Sequence, residues 1–125
     1  MIIDIERLPM VALRGLVVFP YTVVNFEVAR EISIEALTRA MNGDQRLFLV
    51  TQKDMRVEMP TEDDVYQVGV IGKVRHVIKL QGDAVRVLLE GVCRAKIRSM
   101  AAGSGRLVAS DTIKIPPTAP TRREA

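Results

Sequence analysis

The sequence predicts a mainly β fold of the α+β class, built as a small, partly closed β-barrel or folded sheets with one main helix. Three observations carry this. Apolar residues alternate with polar ones over several short segments separated by turn residues. A helical period appears in only one place, after Arg30. Hydrophobic residues make up 48% of the chain but aromatics only 4%, so the core must be aliphatic. Many short strands and a single helix pack most simply as a small barrel or two folded sheets, with the helix covering one opening.

The elements follow in order. Leu8–Leu13 is short and apolar with Pro9 near its start, which predicts an edge strand. A break at Phe19-Pro20-Tyr21 follows. Val23–Val28 alternates, with Val24, Phe26 and Val28 on one face, as a half-buried strand does. Ile34, Leu37 and Met41, joined by Ala36 and Ala40, recur at three- and four-residue steps and predict a helix, with Gly43 at its C-terminal stop. Leu47–Thr51 is a continuous apolar run, expected to be a central strand. Lys53–Asp64 holds Pro60 and several acids and reads as a surface loop. Val68–Leu80 and Val85–Leu89 are β-rich, and Gln81-Gly82-Asp83-Ala84 between them has turn chemistry. Gly91 interrupts the pattern, which predicts a bulge or bend. Val92–Ile97 and Leu107–Ile115 supply two more strands around a loop at 101–105. From Pro116 the composition becomes that of a linker. The organisation expected is one domain over 1–115 and a flexible tail over 116–125.

Charge is unevenly placed. Residues 1–68 carry seven basic and eleven acidic side chains; residues 69–125 carry eleven basic and four acidic ones. A basic half can attract nucleic acid, so a nucleic-acid-binding module is the alternative reading. The basic residues alternate with apolar ones instead of clustering, and two tyrosines form no stacking array, so such binding is expected to be weak at most. Cys93 is the single cysteine, which rules out an internal disulfide and fits a reducing cytoplasm. No segment has the length of apolar chain that a membrane helix needs, and the N-terminus lacks the pattern of a signal peptide.

The residues of common chemistries are missing. His76 is the one histidine and lies on a strand pattern, without a nucleophile partner in view. One His and one Cys do not make a zinc site. Gly103-Ser104-Gly105 lacks the Lys and the spacing of a phosphate loop, and the Glu62-Asp63-Asp64 run lacks the glycine-shaped loop of a calcium site. No cofactor, metal or catalytic residue is expected.

Several blocks in order resemble a known family. They are Leu13-Arg14-Gly15-Leu16-Val17-Val18-Phe19-Pro20, Val28-Ala29-Arg30-Glu31-Ile32-Ser33, Leu47-Phe48-Leu49-Val50-Thr51-Gln52-Lys53, Tyr66-Gln67-Val68-Gly69-Val70 and, densest, Val85-Arg86-Val87-Leu88-Leu89-Glu90-Gly91-Val92-Cys93-Arg94-Ala95. Over Leu8–Met100 the chain resembles the N-terminal domain of Lon, the ATP-dependent protease. Ala12 and Asn25 stand where the family often has proline. The resemblance implies a β-rich fold with one helix, related to the PUA-like RNA-binding fold. It also implies a non-catalytic role in recognising unfolded or damaged proteins and in forming the substrate entrance of a hexamer, with the rest of the Lon chain and neighbouring subunits as partners. The ATPase and protease modules of that family have no counterpart in these 125 residues.

A contact site follows from strand arithmetic. A hairpin centred on Gly82-Asp83 sets Lys79 against Arg86, Val77 against Leu88 and Arg75 against Glu90 on one outward face. Val74, Ile78, Leu80, Val85, Val87 and Leu89 then form the core face. Val77 and Leu88, extended by Tyr21, are the expected protein-contact residues.

Overall fold

The computed structural model describes residues 5–58, 60–103 and 106–115. Its elements are β1 (Ile5–Leu13), β2 (Val23–Val28), helix α1 (Glu31–Met41), β3 (Arg46–Thr51), a 3-10 turn (Glu62–Asp64), β4 (Val68–Lys79), β5 (Val85–Gly103) and β6 (Arg106–Lys114). The expected linker over 116–125 and the tip of the loop at 104–105 lie outside the described residues.

One six-stranded sheet runs in the order β2-β5-β4-β3-β1-β6, and β6 also pairs with the distal part of β5. The sheet therefore curls back on itself as a partly closed barrel, and β2 is left at an outer edge. The 19-residue β5 makes this possible: its first part lies between β2 and β4, and its last part pairs with β6.

Two clusters fill the two faces. One gathers Leu47, Leu49, Val70, Val74, Val87 and Leu89 under Ala36, Leu37 and Ala40 of α1. The other, on the side toward which the sheet curls, holds Leu8, Met10, Phe48, Val50, Ile71, Ala95 and Ile97. Residues of β3 alternate between the two clusters, which is why its apolar run is unbroken. The second cluster also takes Cys93 at its border.

Four expectations are corrected. The strand around Pro9 is not an edge: β6 is matched over Ile5–Pro9 and β3 over Met10–Leu13, so β1 changes partner just after the proline. Proline is tolerated there because a ladder hydrogen bond is not required on both sides at once. Gly43 does follow the end of α1, but the left-handed residue of that turn is Gln45, at φ 67°, whose N–H donates to the Ala40 carbonyl at 2.9 Å. The two strands expected on either side of Gly91 are one strand, with the register shifting there so that Val92 has no partner opposite.

The fourth correction concerns the β4–β5 hairpin. Its centre is Gly82, at φ 72°, and Lys79 faces Val85 instead of Arg86. A bulge between Val74 and His76 skips Arg75, and beyond it His76 faces Leu88, Val77 faces Val87 and Ile78 faces Arg86. One extra residue exchanges the two faces of a strand. Val74, Val85, Val87 and Leu89 are buried as expected, but Ile78 turns outward and Val77 turns toward α1.

Candidate protein-interaction surface

The segment from Val17 to Val23 presents four large apolar side chains to solvent: Val17 is 55%, Phe19 55%, Tyr21 73% and Val23 61% exposed. Val18 between them is buried in the α1-side cluster and anchors the segment. Backbone geometry fixes the rest. Tyr21 has φ 64°, a left-handed conformation that most L residues avoid. Its N–H donates to the Gly91 carbonyl at 2.9 Å, and the Gly91 N–H donates to the Thr22 carbonyl at 2.9 Å. Two residues thus oppose one, as in the bulge type whose first position is usually glycine. The Thr22 hydroxyl closes the turn onto the Phe19 carbonyl at 2.7 Å. Gly91 is required for this approach, because a Cβ there would lie 2.3 Å from the Phe19 oxygen.

The outward face of β2, β5 and β4 continues from Val23. Cross-strand registers put Val23, Asn25 and Glu27 beside Glu90, Leu88 and Arg86. His76 and Ile78 lie on the other side of Leu88 and Arg86. Val23, Leu88 and Ile78 therefore run diagonally across the face, within side-chain reach of one another. Leu88 is half-buried, Ile78 exposed. Around them the charges are matched: Arg75 donates to Glu90 at 2.9 Å through Nε, and Arg86 lies 3.6 Å from Glu27. Two of the arginines that made the second half look basic are thus tied to carboxylates on this face.

Of the three contact residues expected from the sequence, Tyr21 and Leu88 belong to this surface. Val77 does not: it lies on the opposite face of the hairpin, lining a cavity of about 600 Å³ between α1 and the hairpin with Ile34, Leu37, Met41 and Val85. Leu88 takes Ile78 as its outward apolar neighbour, which the unbulged alternation had assigned to the core. Val17, Phe19 and Val23, exposed beside Tyr21, had no place in that expectation. The available signal was the apolar run Leu16–Phe19 caught between Gly15 and Pro20, too short for a buried strand.

A third feature sits where β1 leaves the sheet. A cavity of about 220 Å³ is lined by Leu13, Arg14 and Leu16 on one side and by Phe26, Val28, Arg30 and Ser33 on the other. The Arg30 guanidinium donates to the Ala12 carbonyl, and Arg14 bonds the Glu58 carboxylate at 3.0 Å. Partial burial, with Arg14 as a second cause, lowers the Arg30 pKa, and Glu58 opposes the shift.

Comparison with known proteins adds one observation. The family model of the ATP-dependent protease La (LON) substrate-binding domain matches residues 7–122. The chain belongs to that family.

Among curated relatives, the Lon protease of Clostridium acetobutylicum is 57% identical over 90 residues, covering 72% of this chain and 12% of the relative. That of Clostridioides difficile is 48% identical over 95 residues, covering 76% and 12%. The chain therefore spans about an eighth of the length of these relatives. The N-terminal domain of Mycobacterium avium complex Lon protease superposes with a TM-score of 0.73 at 21% identity, over 93% of this chain and 58% of that one. A Lon N-terminal domain protein from Xanthomonas campestris gives 0.69 at 12% identity, over 90% and 61%. At these identities the structural likeness speaks for the fold alone. As a Lon substrate-binding domain, the chain has substrate recognition as its role. None of its helices is long and apolar enough to cross a membrane among the described residues.

Proposed function

We propose that this Lon domain captures unfolded or damaged proteins through the exposed apolar surface formed by Val17, Phe19, Tyr21 and Val23 and continued by Leu88 and Ile78. The observation that carries the reading is the exposure of four large apolar side chains within seven residues, on a backbone held by hydrogen bonds to Gly91. Unfolding exposes apolar side chains whatever the sequence, so a receptor for damaged proteins needs apolar contact without fine selectivity. Each contact is weak. Several copies around the entrance of a cytoplasmic Lon hexamer raise the effective affinity. ATP hydrolysis and peptide-bond cleavage then belong to other parts of such a protein, and this chain supplies no catalytic group to them.

Salt dependence tests the class of partner. Capture of an unfolded casein should change little between low and physiological salt, because burial of apolar area does not release counterions. A complex with RNA or DNA should weaken steeply over the same range. Tight nucleic-acid binding at physiological salt together with no affinity for casein would overturn the proposal.

A further inference from the structure

The outer edge of β2 is the one strand edge of the sheet, among the described residues, that the pairings leave open along its whole length. The hydrogen-bond phase can be read from its start. Gly91 N–H is bonded to the Thr22 carbonyl. In an antiparallel ladder the inward-bonding residues alternate. Val24, Phe26 and Val28 therefore direct their backbone groups toward β5. Val23, Asn25 and Glu27 direct theirs outward, and their N–H and C=O groups make no backbone bond beyond the sheet among the described residues.

Natural edges are usually blunted by proline, lysine, a mid-strand bulge or a covering segment. Residues 23–28, Val-Val-Asn-Phe-Glu-Val, contain no proline and no lysine, and the one charge, Glu27, faces Arg86 across the strand pair. The bulge lies before the strand, at Tyr21. Beside the open edge is the cavity of about 220 Å³ between β2 and Leu13–Leu16, floored by Phe26 and Val28. A strand added to this edge would send every second side chain toward that cavity and the others toward the Val23–Leu88 face.

We infer that β2 receives an extended segment of a non-native polypeptide as an added strand, paired through the backbone of Val23, Asn25 and Glu27, with an apolar side chain of the segment in the cavity. This rests on the proposed capture of unfolded proteins and deepens it. The occupant is set by what the edge lacks: a row of three donors and three acceptors at strand spacing is satisfied by extended backbone, which unfolded proteins expose and folded ones have used up. The edge is also continuous with Tyr21 and Val23 of the apolar surface, so one segment can use both.

The test is amide hydrogen exchange by NMR, with and without an unfolded casein, combined with Asn25→Pro and Asn25→Thr. Proline at position 25 removes an N–H that the sheet does not use, whereas threonine keeps it. The expected result is new protection at Val23, Asn25 and Glu27 on adding casein, an affinity about three- to tenfold weaker for Asn25→Pro, and no loss for Asn25→Thr. The exchange measurement uses the unaltered chain, so it decides even if Asn25→Pro does not fold. Unchanged exchange at these three amides while casein binds, with that binding weakened by Tyr21→Gly, would overturn the edge and leave apolar capture standing. Absence of casein binding altogether would remove both. Protection that rises with protein concentration alone would overturn the inference in favour of self-pairing of two copies.

Discussion

Arg75 closes on Glu90 although the two are not opposite each other. Lys73 is the residue facing Glu90, and Arg75 is the one the β4–β5 register skips. The ion pair thus spans a bulge, and the bulge decides which of Val77 and Ile78 looks outward. The pair itself is half exposed, with side-chain exposures of 52% and 39%. Arg75→Ala is expected to cost less than about 1 kcal/mol and to leave His76 opposite Leu88. Cross-strand NOEs between positions 76 and 88 check the register. Their replacement by contacts between positions 75 and 88 would show that the ion pair, not the chain, holds the bulge.

Tyr21→Gly separates binding from folding. Tyrosine in a left-handed position carries strain of order 1–3 kcal/mol, which glycine relieves, and glycine's greater loss of chain entropy offsets about 0.5–1 kcal/mol of this. Stability should stay level or rise, while the loss of an exposed ring weakens capture of casein. Thermal melting and a titration on the same protein measure both. A fall in melting temperature would mean that the ring packs in the fold.

Much of the architecture was legible because strand and helix periods leave a direct trace. Val24, Phe26 and Val28 do share a buried-side face, Ala36, Leu37 and Ala40 do cover the sheet, and Gly91 does mark an irregularity. The outward surface was legible only in part. Alternation assigns faces on the assumption that no residue is skipped, and nothing in Val74-Arg75-His76 announces a bulge. Pro9 misled for a related reason. Proline excludes a bonded N–H but does not exclude neighbours on both sides of a strand that changes partner. The turn over Phe19–Thr22 is held against Gly91, about 70 residues away in sequence, so no local window could report its geometry.

Gly91→Ala should displace the 19–22 turn. The added methyl meets the Phe19 carbonyl, a backbone atom that cannot swing aside. A cost of about 1–3 kcal/mol is expected, together with loss of the Tyr21–Gly91 hydrogen bond. Denaturant unfolding and the exchange rate of the Tyr21 amide provide the readout, and unchanged values for both would refute the close approach.

Asp64 supplies a pH dependence in the loop that follows β3. The Thr61 backbone N–H, at 2.7 Å, is the first cause that lowers its pKa, and the Thr61 hydroxyl, at 2.9 Å, is the second. A depressed folded-state pKa stabilises the fold above the ordinary carboxyl range, and that contribution disappears as pH falls through the folded value. The Thr61 amide shift should therefore titrate with a midpoint below the usual aspartate value of 3.8. A midpoint at or above it would mean that the cap is not formed in solution.

The most direct test of the capture surface is a map of backbone and methyl NMR shifts as an unfolded casein is titrated in, for the unaltered chain and for Ile78→Ser. Apolar capture predicts the largest changes at Val17, Phe19, Tyr21, Val23, Ile78 and Leu88, little change at Val77, and an affinity loss of up to about tenfold for Ile78→Ser without a drop in melting temperature. Shift changes centred on Val77 and Met41 in the α1 cavity, with Ile78→Ser binding as tightly as the unaltered chain, would contradict it.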